Sequence, residues 1–206
     1  MSEPNANAIK TPSRPATNVR TITSLAMLTA IGAVLITLVH FPLFPSAAFL
    51  QYDPADVPIL IGAFAYGPVA GVIITVLASF IQAFFLGGDG VYGFLMHVIA
   101  TSALVLVSAT IYRFKHTRAG AVVGLCCGTL TMGLVMMVAN HFITPMFMGA
   151  PTEVVDAMLL PVILPFNLLK AGINSCITFV VYKAVSRHIV HGEPRKDVSK
   201  PEAENI

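Results

Sequence analysis

From about Pro161 to Ala184 the chain carries an apolar run long enough to cross a bilayer, and inside it stands a single cation, Lys170. Crossing the hydrocarbon core takes roughly 20 predominantly apolar residues, and in lipid the backbone must satisfy its own hydrogen bonds, so the run has to be a helix. A charge on such a helix is costly unless it faces a bundle interior or a wet cavity. At helical spacing Asn167 and Asn174 share one face with Lys170. That face offers amide donors, amide acceptors and a fixed charge, and reads as a binding wall.

The rest of the chain is built the same way. Of its 206 residues 56% are hydrophobic and only 11% charged, with a mean hydropathy of +0.80, which excludes an ordinary soluble domain. We therefore expect an all-α integral membrane protein, with spans near residues 22–40, 57–66, 69–86, 92–112, 119–142 and 161–184. Residues 1–20 and 186–206 read as polar tails around a membrane domain at 21–185, and the first tail lacks the apolar core of a signal peptide. The segment at 57–66 is short, covering about 15 Å at 1.5 Å per residue. Its status as a crossing is decided by charge. Every Lys and Arg except Lys170 falls in one of three clusters: Lys10/Arg14/Arg20, Arg113/Lys115/Arg118 and Lys183/Arg187/Arg195/Lys196/Lys200. Six crossings with a cytoplasmic N-terminus put all three inside, whereas five would force the middle one out. Both termini are then cytoplasmic, and Asp53, Asp56, Asp89, Glu153 and Asp156 lie outside.

Between the first two spans, Phe41 to Asp56 mixes Phe41, Phe44, Phe49 and Tyr52 with Pro42, Pro45, Pro54, Asp53 and Asp56. So apolar a loop is expected to fold back over the bundle as a lid. Asp56 is a candidate cap for the next helix. Ile143 to Leu160 reads as a second, longer loop. Asn140 and His141 end the fifth span on the outer side, and Asn167 and Lys170 lie in the outer third of the sixth. An outward-opening pocket walled by Asn140, Asn167 and Lys170 would suit a flat molecule with a polar edge. In the first span Ala26 and Ala30 have the small-xxx-small spacing that lets another helix approach closely.

Several chemistries are excluded or disfavoured. There is no phosphate-binding G-x-x-x-x-G-K-[ST] loop, no H-E-x-x-H and no G-x-S-x-G. The predicted spans contain no Asp or Glu for a proton relay. His40, His97 and His141 sit on different segments and read as interfacial or packing residues, with no metal site expected. Cys126, Cys127 and Cys176 have neither disulfide nor ligand spacing and read as packing residues. The net charge of +2 gives no reason to expect nucleic acid.

Four motifs carry a resemblance over about residues 22 to 185. They are Tyr52-Asp53-Pro54-Ala55-Asp56-Val57-Pro58 with Ile61-Gly62, Tyr66-Gly67-Pro68 with Gly71, Ala139-Asn140-His141-Phe142, and Pro165-Phe166-Asn167-Leu168-Leu169-Lys170 followed by Asn174 and Tyr182-Lys183. In this order on a six-span chain, they resemble the substrate-binding (S) subunits of energy-coupling-factor vitamin transporters, and within them the riboflavin-specific members. The resemblance implies six helices around an outward-open pocket, with the loop after the first helix as its lid. It implies riboflavin as transported ligand rather than cofactor. Asn140, Asn167 and Lys170 would hold the polar edge of the ring, with Tyr52, Asp53 and Asn174 as further binding candidates. It also implies that Ala26 and Ala30 contact a transmembrane coupling subunit driven by two cytoplasmic ATPases.

Two alternatives stand beside this reading. One is the same class of subunit with FMN or another vitamin as ligand; the loops at the outer mouth hold acidic residues and no Lys or Arg, which disfavours a phosphate dianion. The other is a small membrane enzyme, for which the chain supplies only a lone Lys170 where a titratable pair is wanted.

Overall fold

The computed structural model describes residues 19–86 and 90–189. The expected clusters at Lys10/Arg14 and Arg195/Lys196/Lys200, and Asp89, lie outside those residues. Helices α1 (Val19–Leu38), α2 (Asp56–Tyr66), α3 (Pro68–Phe85), α4 (Gly90–Phe114) and α5 (Arg118–Met148) are followed by α6 (Thr152–Met158), a π turn (Leu159–Ile163) and α7 (Leu164–Ile189). The last three are continuous, so the described residues form six helical rods. Five of them are long and apolar enough to cross a membrane, and the chain is a multi-pass membrane protein.

The exception is α2. Its stretch from Asp56 to Phe64 is buried throughout, packed among α1, α3, α4 and α7. A single residue, Gly67, joins it to α3, at φ 99°, a conformation that glycine alone adopts without strain, with Pro68 opening the next helix. α5 runs beyond the expected end at Phe142 because Pro145 sits only one turn from its end at Met148, where a lost backbone bond is tolerated; Gly149 then caps it in the left-handed conformation. The second expected loop is thus mostly helical. Its π turn coincides with two prolines four residues apart, Pro161 and Pro165: Pro165 has no N–H to give the Pro161 carbonyl.

The most extensive helix contact is between α4 and α5. Gly120, Gly124 and Gly128 line one face of α5 and let the backbones meet. A methyl at Gly124 would sit 2.7 Å from the Ser108 carbonyl oxygen, and one at Gly128 would sit 2.7 Å from that of Leu104. Around this seam Leu104, Val105, Leu125, Met132 and Met136 join Ile59, Leu60 and Ile74 in the main core. Cys126 and Cys176, expected as packing residues, lie on the outer surface instead.

The segment between α1 and α2 is a small hairpin. Strands β1 (Phe41–Pro42) and β2 (Gln51–Tyr52) pair antiparallel, Phe41 opposite Tyr52, around a 3₁₀ turn at Pro45–Ala47. Its apolar side chains form a second core: Ala47 and Leu50 pack with Val155, Ile163 and Phe166, and Phe44 meets Phe166 edge-on at 6.5 Å. The hairpin is therefore seated on α6, the π turn and α7.

The glycine seam makes a direct prediction. Gly128→Leu should lower the thermal midpoint of the detergent-purified protein by several degrees or abolish monodisperse expression, since overpacking costs about 1–3 kcal/mol or more against backbone. Gly172→Ala, where an added methyl meets nothing within 4 Å, should be neutral or stabilise by about 0.5–1 kcal/mol. Differential scanning fluorimetry of the two variants checks both.

Candidate functional site

A cavity of about 200 Å³ lies between the hairpin and helices α3, α4, α5 and α7. Neither α1 nor α2 contributes a residue to its wall. Met96, Ala100, Met132, Met136, Ile143, Phe147 and Phe166 make apolar surfaces, and Phe49 and Leu50 of the hairpin cover it. Polar side chains make up most of the rest of the wall.

Two of these side chains use the same device. Asn140 donates one amide N–H to the Met136 carbonyl at 2.7 Å, and Asn167 donates one to the Ile163 carbonyl at 2.8 Å. Each is bonded one turn back on its own helix, so the amide plane is fixed without help from a neighbour. Thr144 donates to Asn140 Oδ1 at 2.8 Å, which sets that amide's orientation further. A second N–H and a carbonyl lone pair remain on each amide, and Asn167 Oδ1 has no partner among the described residues. Both residues line the cavity while being almost fully buried, at 1% and 2% exposure. Donors and acceptors held rigidly in a buried site suit the edge of a heteroaromatic ring.

Lys170 also lines the cavity, and its charge is paired. Nζ donates to Asp53 Oδ2 of the hairpin at 2.8 Å, with the side chains 11% and 4% exposed, and lies 3.5 Å from the Gln51 carbonyl. Asp53 Oδ1 accepts from the Ala55 N–H, which fixes the carboxylate at the start of the chain's turn into α2. The sequence reading had found no carboxylate for Lys170 within the spans. The partner comes from the loop between them.

Behind the wall the network continues. Asn174 is fully buried; its amide donates to the Asp53 carbonyl at 3.0 Å and to Asp56 Oδ2 at 2.9 Å, and accepts from the Tyr52 hydroxyl at 2.9 Å. Burial, aided by the carboxylates of Asp53 and Asp56, raises the Tyr52 phenol above its ordinary value and keeps it a donor. Asp56 does not cap α2, since its side chain turns inward and accepts from Thr101 of α4 at 2.7 Å. His97 stands with Nε2 3.6 Å from Asp56 and Nδ1 2.6 Å from Gln82 Oε1.

Of the sequence candidates, Asn140, Asn167, Lys170 and Asp53 therefore meet at the cavity. Tyr52 and Asn174 lie one layer behind it, holding the hairpin to α7 and α2. Ala26 and Ala30 are exposed on α1, away from the buried face of Thr29, Gly32 and Ile36. His141 binds Asp156 at 2.5 Å, tying α5 to α6. The sequence reading passed over Ser79, Gln82 and Thr144, took His97 for a packing residue and kept Asp56 out of the bundle. A polar side chain recurring in an apolar segment, as Ser79 and Gln82 do in α3, was the available signal.

The family model for the ECF transporter substrate-specific component matches residues 20–182, nearly all of the described chain. The chain belongs to that family. As an S component it is 29% identical over 178 residues to the riboflavin transporter RibU of Staphylococcus aureus (strain TCH60), spanning 84% of this chain and 93% of the relative. It is 28% identical over 173 residues to the riboflavin transporter FmnP of Bacillus subtilis (strain 168), spanning 80% and 90%. A solved structure of the S component of a bacterial ECF transporter superposes with a TM-score of 0.74 at 27% identity, covering 82% of this chain and 97% of that one.

Asn174 offers a test of the network. Asn174→Ala strands Asp56 and the Tyr52 hydroxyl and should cost about 2–4 kcal/mol, as one unmet buried partner costs about 1–3 kcal/mol. Tyr52→Phe, removing one hydroxyl, should cost about 1 kcal/mol. Cys176→Ala on the outer surface should be silent. The order of the three melting temperatures in detergent checks the assignment.

Proposed function

We propose that this S component is the high-affinity riboflavin-binding subunit of an ECF-type uptake transporter, and not an enzyme. The observation that carries the reading is the pair of self-oriented amides, Asn140 and Asn167, beside Lys170 in a cavity that also has apolar surfaces at Met96, Met132, Met136 and Phe166. The pyrimidine edge of the isoalloxazine ring alternates carbonyl acceptors with one N–H donor, and its faces are apolar. Such a ring needs adjacent donors and acceptors along one edge and apolar surfaces above and below. The relatives named as riboflavin transporters support the same ligand. A phosphorylated flavin is disfavoured, because among the described residues Lys170 is the one Lys or Arg that lines the cavity, and Asp53 already neutralises it.

In this reading the three basic clusters are cytoplasmic, the cavity faces outward and the hairpin is its lid. The absence of α1 from the cavity wall leaves that helix for a different task. Its exposed Ala26 and Ala30 form the contact for a transmembrane coupling subunit, which two ATP-binding subunits drive; the chain's own lack of a phosphate loop fits that division of labour.

Quenching of riboflavin fluorescence by the purified protein measures binding. Asn167→Ala and Asn140→Ala should each weaken it by roughly tenfold or more, corresponding to about 1.4 kcal/mol per tenfold. Unchanged affinity in both would remove the amide wall from the site. Ala26→Trp or Ala30→Trp should leave that titration unaltered yet abolish riboflavin uptake by cells carrying the whole transporter; normal uptake would sink the α1 interface.

A further inference from the structure

The cavity has a second polar pole, and nothing in the amide wall accounts for it. The helices around the cavity run in the order α3, α4, α5, α7 by their contacts, which sets α3 at the far end of the arc from Asn167 and Lys170. There Ser79 and Gln82 of α3 and His97 of α4 line the space.

Their hydrogen bonding is incomplete. The Ser79 hydroxyl is 1% exposed and has no partner among the described residues. Gln82 is engaged only through Oε1, which meets His97 Nδ1 at 2.6 Å, so its amide N–H groups have no partner there either. With Gln82 Oε1 accepting, Nδ1 carries the proton, and His97 Nε2 is turned toward Asp56 Oδ1 at 3.6 Å. His97 thus holds the Gln82 amide from behind, with the Asp56 carboxylate beside its other ring nitrogen. Buried polar groups are normally paired, and an unpaired hydroxyl on a cavity wall leaves its partner to be supplied from within the cavity.

The character of that ligand atom follows from charge. Among the described residues no Lys or Arg belongs to this pole, and the carboxylate of Asp56 stands behind His97, so an anion is disfavoured. What fits is a neutral group that both accepts from the Gln82 amide and exchanges hydrogen bonds with the Ser79 hydroxyl. We propose that Ser79 and Gln82 form a polyol subsite that binds the hydroxylated side chain of the ligand, with His97 as the residue that positions Gln82. The assignment rests on the flavin reading above. It places the ring against Asn140 and Asn167, and the ribityl chain toward α3 and α4.

The test compares two ligands on the full-length detergent-purified protein: riboflavin, and lumiflavin, which keeps the ring and has a methyl group in place of the ribityl chain. Wild type should bind riboflavin at least tenfold more tightly. Gln82→Leu should erase most of that preference and Ser79→Ala a smaller part, both with little change in lumiflavin affinity, whereas Asn167→Ala should weaken both ligands. His97→Ala should reduce the preference as Gln82→Leu does. His97→Asn, whose amide can again donate to Gln82, should restore much of it, which a loss of packing alone would not allow. Ser79→Ala removes only a buried unpaired hydroxyl, so its folding is secure. The subsite is overturned if wild type binds the two flavins equally, or if the Ser79 and Gln82 variants leave riboflavin affinity unchanged or weaken both flavins alike. Binding of neither flavin by folded wild type would instead bring down the flavin reading, and the polyol subsite with it.

Discussion

An ammonium cannot be left alone in a membrane helix, and much of this structure follows from how Lys170 is neutralised. Breaking a buried ion pair by removing one partner costs about 3–5 kcal/mol, so the position of Asp53 is as constrained as that of Lys170 itself. Because Asp53 belongs to the hairpin rather than to a helix, that constraint ties a loop to the bundle. Asn174 repeats the tie with the Asp53 carbonyl and the Tyr52 hydroxyl, and passes it to Asp56 in the first turn of α2. Thr101 then carries it into α4, where His97 stands 3.6 Å from the same carboxylate. One set of polar contacts thereby fixes the hairpin, the short central helix and one wall of the cavity.

The molecule divides its mechanical duties accordingly. The α4–α5 seam, closed by Gly124 and Gly128 against the Ser108 and Leu104 carbonyls, is rigid because backbone meets backbone. It holds Met96, His97, Met132, Met136 and Asn140 in fixed relation around the cavity. By contrast, α1 contacts only α2 and α3 to any extent and lines nothing. The cavity wall and the proposed partner surface thus sit on different helices, which lets one be altered without disturbing the other.

What was legible in the sequence was what physics forces on single segments. Apolar length announces membrane helices, an isolated lysine announces a site, and a loop full of aromatic residues announces something that packs. Asn140, Asn167 and Lys170 could be picked out because each is an anomaly in its own segment. What escaped was whatever depends on direction. Asp56 stands at a helix start, where a cap is the local expectation, and only the approach of Thr101 and Asn174 turns its side chain inward. Tyr52 adjoins Asp53 in the chain and Asn174 shares a helix face with Lys170, and only the packing of the hairpin moves them one layer behind the cavity wall. The continuation of α5 through Pro145 and the helix at Thr152–Met158 are tertiary outcomes, stabilised by contacts of α6 and the π turn with α5 and the hairpin.

The hairpin's hold on Lys170 has a consequence for how the cavity keeps what it takes in. Lifting the hairpin separates an ammonium from its carboxylate, so the ease of opening is governed by how well each ion is solvated once apart, more than by any hinge. An empty cavity admits water, which can hydrate both. A cavity filled by a flat apolar ring excludes that water and leaves the separated charges in a poor solvent, where their attraction is far stronger. Occupancy therefore raises the barrier to its own reversal. On the function proposed above, a bound molecule would act as a drying agent for the ion pair beside it, and slow escape would be a property of the filled site that no contact between ligand and hairpin needs to supply.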